Sequence, residues 1–327
     1  MPLMDMPLEQ LREYRPEIAE PADFDEFWGG TLAAARQAGD PAEYRPVETR
    51  LRSTEVYDVR FPGWDGQPVA GWLLLPRGAS GPLPAVVSYI GYSGGRGLPV
   101  EHLMWAAAGY AELVVDSRGQ GHVTPDPDPV PSPQYVRGFM TRGIEDPADH
   151  YYRRLMTDCV RAVDALRAHP AVDADRIVVS GASQGGGLAL ATAGLCGDAV
   201  AAALVDVPFL CHFRRGADTA GAGPYPELVQ YLGYHQRVAP ERVFGTLNYF
   251  DGLHFAPRAT APALFSVGLM DPVCPPSTVF AAYNRYAAAD REMAVWEFGD
   301  HAGGLASQSE RQLHWLAARG LGGADHT

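Results

Sequence analysis

The segment Gly181-Ala182-Ser183-Gln184-Gly185-Gly186-Gly187 sets a hydroxyl among glycines, with the apolar run Arg176 to Ser180 before it and the helix-prone Leu188-Ala189-Leu190-Ala191 after it. A strand that turns sharply into a helix leaves no room for side chains against the neighbouring backbone, and the turn lifts its serine above the strand's carboxyl end. The following helix brings the positive end of its dipole beneath an oxygen that gains negative charge. Ser183 is therefore the candidate nucleophile for acyl transfer, against the plain alternative of a tight structural turn.

A serine hydroxyl is a weak nucleophile near neutral pH, so it needs a base within hydrogen-bond reach and an acid to orient that base. Around an elbow of this kind the chain order is serine, acid, histidine, each at the carboxyl end of a strand. The run Ala263 to Val267 leads into Gly268-Leu269-Met270-Asp271-Pro272, and the run Met293 to Phe298 leads into Gly299-Asp300-His301-Ala302-Gly303. Of the ten histidines only His301 follows a terminal strand, which makes it the candidate base. Asp271 is the candidate acid, with Asp206, closing a strand one step earlier, as the open alternative.

Two backbone N–H groups must receive the oxyanion, one from the residue after the nucleophile, Gln184, and one from the loop after an earlier strand. The run Ala85 to Ile90 ends in Gly91-Tyr92-Ser93-Gly94-Gly95-Arg96-Gly97, whose glycines let amides turn toward a reacting carbonyl, and Tyr92 is the second candidate donor. Beside it, Asp116-Ser117-Arg118-Gly119-Gln120-Gly121 closes the run Ala111 to Val115. A guanidinium there could bind an anionic substrate, but a brace between loops is the better reading of Arg118, because a charge buried near a site is normally paired.

The elements that must position these groups alternate. Apolar runs at Ala85 to Ile90, Ala111 to Val115, Arg176 to Ser180, Ala201 to Val207, Ala263 to Val267 and Met293 to Phe298 predict strands. Between them, helical patterns fall near Glu101 to Ala108, Asp149 to Ala168, Gly185 to Leu195, Ser277 to Ala288 and Ser307 to Ala318. The alternation predicts an α/β fold with a three-layer, mostly parallel sheet. The sheet is entered through an antiparallel hairpin, Glu55 to Phe61 and Pro68 to Leu75 around Gly63-Trp64-Asp65-Gly66. Residues 1–50 read as a polar, helix-rich extension, with an amphipathic stretch over Phe24 to Arg36. Insertions fall near 122–147, with proline at 125, 127, 129, 131 and 133, and at 208–256, in what reads as one domain over 1–327.

Composition removes other chemistries. The 26 basic residues against 39 acidic ones give a formal charge of −13, and every basic residue is arginine, which excludes a lysine Schiff base or a phosphate-loop lysine. With no basic stripe, neither nucleic acid nor a membrane surface is an expected partner. MPLMDMPLEQ has no basic, apolar leader pattern, so the expected location is cytoplasmic. The four cysteines form no Cys-x-x-Cys pair. No metal motif or dinucleotide fingerprint occurs, so no metal or cofactor is expected.

Taken together, Tyr14-Arg15-Pro16, Phe24-Asp25-Glu26-Phe27-Trp28, Gly91 to Gly97, Arg118-Gly119-Gln120-Gly121, Gly138-Phe139-Met140-Thr141-Arg142-Gly143, Gly181 to Gly187, Asp206-Val207-Pro208-Phe209-Leu210-Cys211 and Phe265 to Asp271 cover nearly the whole chain. In these the chain resembles the cephalosporin C deacetylase and acetyl xylan esterase family of α/β-hydrolases. The resemblance implies Ser183, Asp271 and His301 as catalytic residues and Tyr92 and Gln184 as oxyanion donors, while Arg118 and Gln120 are read as structural support. It also implies that Tyr92, Phe209, Pro224 and Val273 wall a short acyl pocket. The implied activity is deacetylation of small acetylated esters without a cofactor, and the implied assembly is a homohexamer with its sites facing an inner cavity. Another short-chain carboxylesterase or a peptidase on the same fold is the alternative, and a non-catalytic ligand-binding protein a more distant one. One departure stands out: the family has glutamate after the histidine, and this chain has Ala302.

Overall fold

The computed structural model describes residues 5–121, 123–127, 136–235 and 237–323. Its strands are β1 (Glu43–Val47), β2 (Thr54–Pro62), β3 (Pro68–Pro76), β4 (Leu83–Tyr89), β5 (Ala111–Val115), β6 (Val172–Ala182), β7 (Ala202–Asp206), β8 (Ala263–Gly268) and β9 (Arg291–Trp296). Among the described residues they form one nine-stranded sheet in the order β1-β2-β3-β5-β4-β6-β7-β8-β9. The pairs β1/β2, β2/β3 and β3/β5 are antiparallel, and every pair from β5 to β9 is parallel. Parallel strands need crossovers, and helices on both faces supply them.

The helices are α1 (Leu8–Glu13), α2 (Phe24–Gln37), α3 (Met104–Ala107), α4 (Tyr151–Arg167), α5 (Gln184–Cys196), α6 (Phe213–Thr219), α7 (Tyr225–Tyr234), α8 (Pro240–Leu247), α9 (Gly252–Phe255), α10 (Pro276–Arg285) and α11 (Leu305–Ala317). Strand residues alternate between the faces. Ala85 and Val87 of β4 join Leu155 of α4 and Leu188 of α5 in the main core, while Val86 packs with Trp105 of α3 and Trp315 of α11 on the other side. This is why the runs read as continuous rather than alternating. Gln184 to Ala193 of α5 are all buried and none is charged, as suits a helix enclosed by β6, β7, α4 and α9. No helix among the described residues is long and apolar enough to cross a membrane.

The N-terminal extension departs from the sequence reading. Glu43–Val47 is an edge strand rather than part of a helical approach, and its mostly exposed side chains, with Pro46 among them, leave no alternating apolar signal. Phe24 and Trp28 of α2 are buried in the main core and Leu32 is buried beside them on the same helix, so this stretch is structural rather than peripheral. The helix expected near Glu101 to Ala108 shrinks to a single turn at Pro99–Glu101 and the short α3, which Gly109 ends at φ 87°. The last strand stops at Trp296, two residues before the expected Phe298. Of the proline-rich run, Pro129, Pro131 and Pro133 lie outside the described residues, and Pro125 and Pro127 are in no strand.

Candidate active site

Ser183 sits between β6, in the middle of the sheet, and the first residue of α5, with φ 58° and ψ −120°. For a residue with a Cβ this backbone costs on the order of 1–3 kcal/mol and persists only where the surroundings hold it. Here the Ser183 N–H donates to the Asp206 carbonyl at 3.0 Å, and its own carbonyl accepts from Gly187 N–H at 3.0 Å and Phe209 N–H at 2.9 Å. The flanking glycines make the close approach possible. A Cβ on Gly181 would lie 2.4 Å from the Gly185 carbonyl carbon, and one on Gly185 would lie 2.2 Å from the Tyr89 carbonyl oxygen.

His301 stands in the loop between β9 and α11, with Nε2 2.9 Å from Ser183 Oγ and Nδ1 2.8 Å from Asp271 Oδ2. An ionised carboxylate only accepts, so in the neutral ring Nδ1 carries the proton and Nε2 is free to accept the serine proton. The Asp271 side chain is fully buried, and its Oδ1 accepts from the N–H groups of Val273 at 2.7 Å and Cys274 at 3.0 Å. A Met270 N–H to Gly299 carbonyl bond of 2.9 Å ties the acid loop to the histidine loop. Asp206 is engaged elsewhere: it accepts from Gln308 at 2.8 Å and Gln312 at 2.6 Å, both on α11, and burial pushes its carboxyl up to about 6. Asp300 accepts from the Ala302 N–H at 2.9 Å. Ala302 is exposed, so a longer side chain there would face solvent.

The loop after β4 is a four-residue turn closed by Gly94 N–H to the Gly91 carbonyl at 3.1 Å, with Ser93 at φ 63°, as position i+2 of a type II turn requires. Tyr92 occupies position i+1. Gln184, at the start of α5, has its N–H among the unpaired donors of a helix's first turn. Between these two donors, Gln120 and Gln184 pair reciprocally, Nε2 to Oε1, at 2.8 and 3.1 Å. Gln120 Oε1 also accepts from the Ser93 N–H at 2.7 Å, and its Nε2 donates to Tyr151 Oη at 3.0 Å. Tyr152 Oη donates to Gln184 Oε1 at 3.1 Å.

Arg118 is fully buried and braced, its Nε and Nη2 on the two oxygens of Asp158 at 2.6 and 2.8 Å and its Nη1 on Gln67 Oε1 at 2.7 Å. Its carbonyl accepts from Tyr151 Oη at 2.5 Å, so the brace reaches Gln120 through that hydroxyl.

The residues suggested as pocket walls fall into two neighbouring pairs. The Tyr92 ring meets Phe209 edge-on at 6.2 Å, and the chain before Pro224 touches Val273, whose Cγ1 would lie 2.5 Å from a Cβ on Gly223. Phe209 and Pro224 are buried, and Val273 is half-buried.

Reading the sequence missed several neighbours of the site. Glu227 of α7 accepts from Tyr92 Oη at 2.7 Å, and burial raises its carboxyl above the usual range. Burial, and next the Glu227 charge, raise the Tyr92 phenol. Phe139 donates its N–H to Tyr92 Oη at 2.6 Å, and its ring lies 5.7 Å from the tyrosine ring. Gly138-Phe139-Met140 stood out only as part of the family resemblance, and nothing in the irregular 208–256 insertion singled out Glu227. Cys274 is buried beside the histidine. Its sulfur and one ligand atom each from Asp271 and His301 lie within 4.8 Å of one another, a mixed set able to hold a metal ion, although its oxygen and nitrogen members already bond each other.

A mostly parallel sheet that carries a serine on a strained elbow, with an imidazole and a buried carboxylate in line behind it, defines a serine hydrolase of the α/β-hydrolase class. The acetyl xylan esterase (AXE1) family model matches residues 1–319, and the chain belongs to that family. It is a carboxylic ester hydrolase. An acetyl xylan esterase from Paenibacillus sp. R4 superposes with a TM-score of 0.91 at 43% identity, over 96% of this chain and 99% of that one. Acetyl xylan esterase 1 from Thermoanaerobacterium sp. JW/SL YS485 does so with a TM-score of 0.89 at 33% identity, over 96% and 99%. The acetyl esterase Axe7A of Xylanibacter ruminicola is 29% identical over 310 residues, which are 92% of this chain and 68% of that protein.

Proposed function

We propose that this chain removes acetyl groups from small acetylated esters, such as acetylated xylo-oligosaccharides and 3-acetoxymethyl cephalosporins of the cephalosporin C type, through an acyl-serine intermediate. The observation that carries the reading is the unbroken line from Ser183 Oγ through His301 to Asp271, with contacts of 2.9 and 2.8 Å. Ser183 Oγ bonds to the acetyl carbon as its proton passes to His301 Nε2, and the carbonyl electrons move onto the oxygen facing the Tyr92 and Gln184 N–H groups. The ester C–O bond then breaks, and the imidazolium gives its proton to the departing alkoxide. Water enters, loses a proton to the same nitrogen and attacks the acetyl carbon. The bond between the acetyl carbon and Ser183 Oγ breaks, the histidine's proton returns to that oxygen, and acetic acid leaves and ionises to acetate in water. Asp271 stays ionised throughout and stabilises the imidazolium.

Phe209, Pro224 and Val273, with the Tyr92 ring, are proposed to limit the acyl group to a short chain, and a homohexamer in the cytoplasm is the proposed working form. The family resemblance supports the assembly, and a particle mass six times that of the chain would be measured for the hexamer.

The test of the chemistry is Ser183→Ala on p-nitrophenyl acetate, where kcat is expected to fall by roughly 10⁴-fold or more, as for other disrupted triads. Turnover at the wild-type rate would eliminate the mechanism. On a series of p-nitrophenyl esters, activity is expected to fall steeply from acetyl to butyryl; a flat profile would rule out the short acyl pocket.

A further inference from the structure

The turn that presents the Tyr92 N–H is gripped from two sides. On the sheet side, Ser93 N–H donates to Gln120 Oε1 at 2.7 Å. On the other side the grip comes from the 208–256 insertion, where Glu227 of α7 accepts a hydrogen bond from the Tyr92 hydroxyl at 2.7 Å. The same tyrosine oxygen accepts from the Phe139 N–H at 2.6 Å, and the second carboxylate oxygen of Glu227 accepts from the Met140 N–H at 3.2 Å. Gly138 completes the seat. At φ 106° it presents bare backbone to the carboxylate, and a Cβ there would lie 2.2 Å from both oxygens. One carboxylate thus joins three segments that are remote in sequence: the turn after β4, the 138–140 segment and the lid helix α7. No other described side chain bonds the Tyr92 hydroxyl in this way.

We infer that Glu227 is a positioning residue of the oxyanion hole: through the Tyr92 hydroxyl it holds the turn so that the Tyr92 N–H faces the acyl oxygen, and it makes that alignment depend on the insertion being seated. The inference rests on the esterase reading above. Its physical basis is that an oxyanion donor helps only if it is in place before charge develops, and misplacement by about 1 Å costs on the order of 10²-fold in rate. The Tyr92 hydroxyl bonds Glu227 and Phe139 rather than Ser183 or His301, so the loss of these bonds should be felt in the transition state and little in ground-state binding.

The experiment measures kcat and KM on p-nitrophenyl acetate for the full chain and for Tyr92→Phe, Glu227→Ala, Gly138→Ala and the double variant Tyr92→Phe/Glu227→Ala, together with inhibition by a small alkylboronic acid, which forms a tetrahedral adduct on the serine. Tyr92→Phe deletes one oxygen and keeps the ring, so it reports even if Glu227→Ala fails to fold. The expected result is a kcat about 10- to 100-fold lower in each single variant at nearly unchanged KM, with boronate binding weakened in parallel. The double variant should be no worse than the poorer single one, because the two groups act as a unit. Tyr92→Phe with a kcat within twofold of wild type would overturn the inference, as would losses that simply multiply in the double variant. A wild-type protein inert toward the ester would instead overturn the esterase reading, and the inference with it.

Discussion

The two walls of the site are built by different means. The sheet wall, made of the elbow, Gln120, Gln184 and Arg118, is locked by backbone packing and buried charge: glycines where no Cβ fits, and an Arg118 to Asp158 pair in which both side chains are fully buried. The lid wall, α6 to α9, consists of short helices that owe their position to distant parts of the chain. Asp5 accepts from Arg215 of α6 at 2.9 Å, and Trp28 Nε1 donates to the carbonyl of Tyr249, just after α8, at 2.9 Å. Arg258 of this region reaches Glu20 at 2.8 Å and Asp25 at 2.7 Å through exposed ion pairs. Exposed pairs contribute at most about 1 kcal/mol each, whereas breaking a buried one costs several. The contrast teaches that the nucleophile and its helix are fixed with the core, while the outer side of the pocket depends on an extension that lies at the opposite end of the sequence.

The contrast can be broken most severely at the joint between acid and base. Asp271→Asn keeps the size of the side chain but offers His301 Nδ1 an amide, favouring the wrong tautomer, and kcat on p-nitrophenyl acetate is expected to fall by about 10⁴-fold with the thermal midpoint little changed. A variant retaining a tenth of wild-type activity would show that His301 is oriented by some other group. Arg118→Met tests the sheet wall by stability instead. It strands Asp158, whose Oδ1 still accepts from the Trp64 N–H at 2.8 Å, and the expected loss is about 3–5 kcal/mol in urea unfolding. A loss below about 1 kcal/mol would mean that the brace is dispensable and that the sheet wall is held by packing alone.

Much of the sheet wall was legible because its causes are local. An elbow glycine, an unbroken apolar run and a histidine following the last strand each leave a mark within a few residues, and Ser183, Asp271 and His301 were singled out on that basis. The lid side was not legible, for a physical reason. Glu227 meets Tyr92 across 135 residues of chain, and Asn284 bonds the carbonyls of Leu11 and Tyr14 at 2.9 Å across about 270, pairings for which no spacing rule exists. β1 escaped notice because an exposed edge strand has no buried face to impose period two on its side chains. Phe24 to Arg36 did show its amphipathic pattern, but the pattern alone could not say that the apolar face covers Phe250 and Phe255, whose ring centroids lie 5.9 and 5.6 Å from that of Trp28.

The mildest test concerns the carboxylate that competed for the role of acid. Asp206 closes β7 beneath the elbow, and its two oxygens take Gln308 and Gln312, so it fixes α11, the helix that follows the histidine loop. Burial raises its folded-state pKa to about 6, above the ordinary 3.8. Below pH 3.8 both folded and unfolded chains hold the proton and no penalty arises. As the pH climbs from 3.8 to 6 the unfolded chain releases the proton first, so this group's contribution to stability falls across that window and levels off above it. Asp206→Asn cannot titrate. Its amide faces the Gln312 or Gln308 donor unfavourably, which lowers stability by a pH-independent amount, but the slope should vanish. The difference in unfolding free energy between variant and wild type is therefore expected to shift in the variant's favour by on the order of 2 kcal/mol between pH 4 and pH 7. A difference that stays constant over that range would show that the folded chain carries Asp206 ionised at its ordinary pKa, with the two glutamine donors offsetting the desolvation in full.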